Sequence, residues 1–99
     1  MKQKDISACQ YIANHYGYES QSRQLIEEMA ELMQAINKHW RNFFCKDTEA
    51  KIVEEIADVE ICLEQIKFLM GCGETIEEKH CEKITRQLKR IAEEKCGVI

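Results

Sequence analysis

The sequence contains no proline and only four glycines among 99 residues. Proline interrupts helices and glycine weakens them, so the scarcity of both argues against a fold rich in tight turns. Charged residues make up 32% of the chain. Together these features predict an all-α protein built from a few long helices with short connections. The chain length fits one domain, spanning residues 1–99.

Long hydrophobic runs are also missing. No stretch approaches the roughly 20 apolar residues that a membrane-spanning helix needs. The first residues, Met1–Asp5, do not lead into a hydrophobic signal segment. A net charge of −4 gives no general attraction for nucleic acid or for anionic membranes. We therefore expect no nucleic-acid partner, no membrane partner and a cytoplasmic location.

Six cysteines are present, but no two are spaced as Cys-x-x-Cys. In a cytoplasmic helical chain we expect free thiols that act as small hydrophobic residues, rather than a disulfide framework or a zinc site. Glu77-x-x-His80 matches half of a di-iron pattern. A di-iron bundle needs two such pairs, so this pattern argues weakly for iron.

The spacing of apolar residues predicts four helices, over about 4–16, 21–41, 48–70 and 75–95. Gly17 and Gly71-Cys72-Gly73 mark the breaks. Short links favour antiparallel neighbours and therefore an antiparallel bundle of about four helices. A chain this short buries limited surface, so we expect self-association to complete the bundle.

One acidic octapeptide occurs twice. Leu25–Leu32 reads LIEEMAEL, and Ile52–Val59 reads IVEEIADV, 27 positions later. Each copy carries acids at positions i and i+3, which are Glu28 with Glu31 and Glu55 with Asp58. At about 100° per residue, both acids of each pair flank the apolar stripe of their helix. If the two helices pack through these stripes, both acid pairs can point into one gap.

Carboxylates gathered in a partly dry gap repel one another, and a divalent cation removes that conflict. Ligation by oxygen alone suits a hard metal, with magnesium or manganese as the leading candidates. A metal with open coordination positions in turn suits phosphate chemistry. The alternative is a solvated acidic face, because glutamate is common on exposed helix surfaces.

The paired acidic segments resemble the signature of the MazG-like all-α nucleoside triphosphate pyrophosphohydrolases. The resemblance includes both octapeptides and His-Tyr-Gly-Tyr-Glu-Ser-Gln at 15–21, and it is strongest over about 15–70, with the core motifs in about 20–70. It implies a MazG-like bundle around magnesium, usually a homodimer or homotetramer. It also implies cleavage of a (deoxy)nucleoside triphosphate between the α and β phosphates, giving a monophosphate and pyrophosphate.

The resemblance also implies roles for individual residues. The implied metal ligands are Glu28, Glu31, Glu55 and Asp58. Glu27 and Glu54 would be the catalytic groups that support the ligands or orient the attacking water. One position departs from the pattern, because Ile61 stands where some members have an asparagine. The side chain of Ile61 cannot donate a hydrogen bond to substrate.

Substrate contacts are less sharply defined. The candidates are Lys83 and Arg86 in the last helix and Lys38 and Trp40 at the end of the second. The two basic residues of the last helix either form a solvated face or reach phosphate from a neighbouring helix or subunit. Trp40 either packs in a core or interface, or stacks on a base. A non-catalytic helical interaction protein with a solvated acidic face is the alternative to an enzyme.

Overall fold

The computed structural model describes residues 1–97 and contains three helices: α1 (Gln3–Arg41), α2 (Lys46–Met70) and α3 (Gly73–Lys95). These residues include no strand, so the predicted all-α class is confirmed. The first two predicted helices are joined end to end in α1, and they meet at a kink at Gly17, whose backbone is not helical (φ 85°, ψ 170°). Because glycine almost alone adopts this backbone conformation, Gly17 interrupts the helix at the predicted break.

Helices α1 and α2 form an antiparallel hairpin closed by residues 42–45. Toward its open end, Gln21 Nε2 donates a buried hydrogen bond of 2.6 Å to Gln65 Oε1. Near the connection, His39 Nδ1 and Thr48 Oγ1 lie 2.7 Å apart. These two cross-helix contacts set the register in which the acidic segments meet.

The surface that α1 and α2 share is made mainly of small and polar side chains. The buried residues of the two helices are Cys9, Ala13, Gln21, Ala35, Glu55, Val59, Cys62 and Gln65. Larger apolar residues beside them are 39–42% exposed, namely Met29, Ile36, Ile56 and Leu63. The expectation of packing through the apolar stripes is confirmed in part, because Leu25, Leu32, Ile52 and Ile66 are half-buried and Val59 is buried. The contact also includes the line that carries Glu55. Each apolar stripe keeps one side in contact with solvent.

Helix α3 projects from the hairpin. Every residue from Glu77 to Gly97 is exposed, and within residues 1–97 the only extensive helix–helix contact is that of α1 with α2. Ile84, Leu88 and Ile91 are 48–62% exposed. A single copy of residues 1–97 is thus a hairpin with an extended third helix. The predicted four-helix bundle is not confirmed for a single copy.

The cysteines and the hydropathy of the helices complete the description. All six cysteines are unpaired, with Cys9 and Cys62 buried. None of the helices in the described part of the chain combines the length and apolar character that crossing a membrane requires.

Candidate metal centre

Three carboxylates meet where α1 faces α2. One oxygen from each of Glu28, Glu31 and Glu55 lies within 4.8 Å of the other two. The i, i+3 spacing places Glu28 and Glu31 on one side of α1. The hairpin register then brings Glu55 to them from α2. No other acidic, histidine or cysteine side chains within residues 1–97 form such a group of three.

Two oxygens of this group are buried and bare. Glu28 Oε2 and Glu55 Oε2 have no hydrogen-bond partner, and the Glu55 side chain is only 3% exposed. The second oxygen of each of these two residues has a partner, because Gln24 Nε2 donates a hydrogen bond of 2.8 Å to Glu28 Oε1 and Lys51 Nζ lies 2.9 Å from Glu55 Oε1. A buried acceptor without a partner costs about 1–3 kcal/mol, and more when it is charged. The two bare oxygens therefore fit a cation that this arrangement of side chains does not itself supply.

Mutual repulsion among the acids contributes to raised pKa values at Glu31 and Asp58. The pKa of Glu31 is raised above its usual value, mainly by the charge on Glu28 and next by Glu55. The pKa of Asp58 is raised by partial removal of its carboxyl from water and then by Glu28 and Glu55. A bound divalent ion would reverse both shifts, because it favours the charged form of every carboxylate around it.

The remaining predicted acids lie outside the group of three. Asp58 lies one turn after Glu55 and is exposed. It is still close enough to Glu28 and Glu55 for their charges to raise its pKa. Glu27 and Glu54 are also exposed. Glu54 Oε2 lies 3.9 Å from Lys51 Nζ, so Glu54 borders the group without joining it.

Cys62 contributes a neutral side chain beside the acids. It is buried, and burial raises the pKa of its thiol, to which Glu28 and Asp58 add. The sulfur of Cys62 does not belong to the group of ligand atoms that lie within 4.8 Å of one another. The ligands that remain are all oxygens, a set that suits magnesium or manganese better than a soft metal.

An open pocket of about 590 Å³ adjoins the carboxylates. It is lined by Glu31, Gln34, Ala35, Asn37, Lys38, Arg41 and Lys51. Three of these side chains are cationic and one is acidic, so the pocket suits an anion. Of the cations, Lys38 was among the predicted substrate contacts. Lys51 was missed, because its i, i+4 spacing from Glu55 is also common on exposed helices.

The other predicted substrate residues are not brought to this pocket. Trp40 is 66% exposed and packs edge-to-face on Phe44, with ring centroids 4.7 Å apart. Lys83 and Arg86 are exposed on α3, which does not pack extensively on the hairpin. The residues of Glu77-x-x-His80 line a different pocket, at the α2–α3 corner.

Comparisons of the chain with family models, with curated proteins and with solved structures found no significant match. The functional conclusion therefore depends on the geometry of the carboxylates and on the motif resemblance.

Proposed function

We propose that the protein is a magnesium-dependent, MazG-like nucleotide pyrophosphohydrolase. The observation that carries this proposal is the pair of bare buried oxygens on Glu28 and Glu55, within a group that also includes Glu31. Two helices hold these acids together despite their repulsion, which is costly unless a cation binds. The adjoining cationic pocket supplies a place for the phosphates of a nucleoside triphosphate.

The residues divide into three roles in this proposal. Glu28, Glu31 and Glu55 hold the metal, and Asp58 completes the ligand set. A magnesium ion held there would supply positive charge to phosphate oxygens and would make a water molecule more acidic. Glu27 and Glu54 are exposed and directly precede Glu28 and Glu55 in the sequence, and we assign to them the orientation of the attacking water. Lys38 and Arg41 donate charge-assisted hydrogen bonds to phosphate oxygens.

The exposed apolar surfaces favour self-association. Ile84, Leu88 and Ile91 on α3 remain half-exposed or more, as do Ile36 and Leu63 at about 40% on the hairpin. Burying apolar surface contributes about 25 cal/mol per Å². We propose a homodimer or homotetramer that completes a four-helix bundle and brings Lys83 and Arg86 toward the phosphates bound by another copy. The proposed location is the cytoplasm.

The activity is tested with a panel of ribo- and deoxyribonucleoside triphosphates, with magnesium or with EDTA. We expect equal amounts of monophosphate and pyrophosphate with magnesium, and neither with EDTA. Glu55→Gln should abolish turnover, whereas Glu60→Gln, at an exposed position on the same helix, should retain it. Unchanged turnover in Glu55→Gln would overturn the assignment. Orthophosphate with a nucleoside diphosphate would instead show cleavage at the terminal phosphate.

The exposed apolar faces also favour a second candidate, a non-catalytic helical assembly protein. In that case the stripes serve association alone and the acids serve solubility. Such a protein would associate without binding magnesium. Association combined with no heat of magnesium binding and no thermal shift would select this candidate over the enzyme.

A further inference from the structure

Lys51 links the carboxylates to the cationic pocket. Its Nζ lies 2.9 Å from Glu55 Oε1 and 3.9 Å from Glu54 Oε2. The two partners of the closer ion pair differ sharply in burial, because the Lys51 side chain is 59% exposed and that of Glu55 is 3% exposed. A buried acid of the proposed metal site is thus paired with a lysine that solvent can reach.

This ion pair satisfies only part of the site. Lys51 brings one positive charge to Oε1 of Glu55, while Glu55 Oε2 and Glu28 Oε2 stay bare. A divalent ion held by Glu28, Glu31 and Glu55 would carry twice that charge and would contact the bare oxygens. An ion pair with an exposed lysine is weak, so a metal can displace the ammonium at little cost.

The pocket offers the displaced ammonium a new anion. Lys51 shares the pocket with Lys38 and Arg41 from α1, and Gln34 and Asn37 line the same space. Lys38 and Lys51 also line a neighbouring pocket of about 450 Å³ toward the helix connection. Several cations and amides around one open volume suit an anion with many oxygens, such as a chain of phosphates.

We propose that Lys51 is an exchangeable counter-ion, which neutralises Glu55 when no metal is bound and binds a phosphate group once a divalent ion occupies Glu55. This inference rests on the proposed function. The exchange makes metal binding and phosphate binding cooperative. Binding of either ligand removes the Lys51 ammonium from Glu55, where it competes with the metal. By linkage, the two ligands strengthen each other's binding to the same extent.

The test measures manganese binding by electron paramagnetic resonance, without nucleotide, and then pyrophosphate binding to the manganese-loaded protein. Lys51→Met should bind manganese about fivefold to tenfold more tightly and pyrophosphate at least about fivefold more weakly than the wild type. Lys51→Arg should restore pyrophosphate binding, because a guanidinium also binds phosphate. Lys38→Met is the matched control, since Lys38 lines the same pocket but makes no ion pair with the acids. It should weaken pyrophosphate binding and leave manganese binding close to that of the wild type.

Each other outcome counts against the inference. Equal manganese affinity in wild type and Lys51→Met, or weaker affinity in the variant, overturns it and leaves the proposed function standing. Tighter manganese binding without any loss of pyrophosphate affinity removes the phosphate-binding role and overturns the exchange. The same gain in manganese affinity from Lys38→Met overturns direct competition, because general electrostatics would then explain both. No manganese binding by the wild type overturns the proposed function, and the inference with it.

Discussion

Glu28 and Glu55 reach toward each other across the α1–α2 interface, and each keeps one buried carboxylate oxygen without a hydrogen-bond partner. Buried polar atoms are nearly always paired in proteins, so two bare oxygens in one group are unusual. They lie in the register set by the Gln21–Gln65 hydrogen bond. The fold therefore holds two carboxyl groups close together, and a bound cation would relieve the repulsion between them.

Glu31 should make the metal-free protein less stable as the pH rises. Glu28 and Glu55 raise the folded-state pKa of Glu31 above its usual value, so the folded protein binds this proton more tightly than the unfolded chain does. The contribution of Glu31 to stability is therefore greatest below the unfolded pKa and is lost as the pH rises through the folded pKa. Glu31→Gln should lose less stability than the wild type between about pH 4 and about pH 8.

Urea unfolding in EDTA across that pH range measures this difference. Glu27→Gln is the matched control, because Glu27 is an exposed acid four positions earlier on α1 and lies outside the group of three. It should follow the wild-type curve. Identical pH dependence in Glu31→Gln and wild type would show that the carboxylates do not repel one another.

The buried hydrogen bond between Gln21 and Gln65 should contribute more to the free energy of unfolding than an exposed hydrogen bond does. Gln65→Leu keeps a side chain of similar size but leaves the buried Gln21 Nε2 without its acceptor, so it should lower the free energy of unfolding by about 1–3 kcal/mol. Replacing both residues by leucine should recover most of that loss, since no orphaned polar group remains. Chemical denaturation of the two single variants and the double variant measures the coupling. Additive effects would contradict a direct interaction.

Gly17 should be required for its backbone conformation. A Cβ there would meet no atom within 4 Å, yet the φ of 85° is one that other residues rarely adopt. Gly17→Ala should therefore destabilise the protein by about 1–3 kcal/mol. Gly73→Ala is the control, because Gly73 also has open space around it and its φ is not positive. Similar thermal unfolding of the two variants would contradict this account of the kink.

Leu88 should contribute to association between copies. It is 62% exposed in one chain, so Leu88→Asp should leave the hairpin folded while disrupting an apolar interface. Light scattering should show a dimer or tetramer for the wild type and a smaller species for the variant. Gln87→Asp adds the same charge at the neighbouring exposed position and should behave like the wild type. A monomeric wild type at high concentration would contradict the proposed assembly.

The cluster of acids could be predicted from the sequence because the acids are regularly spaced. Repeated acids at i and i+3 on two helices predict which carboxylates share a side, and the hairpin brings Glu28, Glu31 and Glu55 together. The proposed role of Lys51 could not be predicted from the sequence in the same way. Lysine–glutamate pairs at i, i+4 are common on exposed helices, and only the burial of Glu55 distinguishes this one.

The helix contact was predicted less well, for a physical reason. On a helical wheel Gln21, Glu28 and Ala35 fall within about 40° of one another, and Glu55 and Cys62 within about 20°. Small residues such as Ala35 and Cys62 let the two helices approach along this line, which places the acids inside the contact. The apolar face of α3 could not be assigned a partner from the sequence, and α3 does not pack extensively on the hairpin of its own chain.

The most direct test of the central claim is a calorimetric titration of the metal-free protein with magnesium. Wild type and Glu60→Gln should show saturable binding with the same affinity, because Glu60 is exposed and lies outside the group of three. Glu55→Gln removes one charged ligand and should bind magnesium at least about tenfold more weakly. Circular dichroism should show that all three proteins are equally helical. Absence of saturable binding by the wild type, or equal affinity in Glu55→Gln, would contradict the assignment of these carboxylates as a metal site.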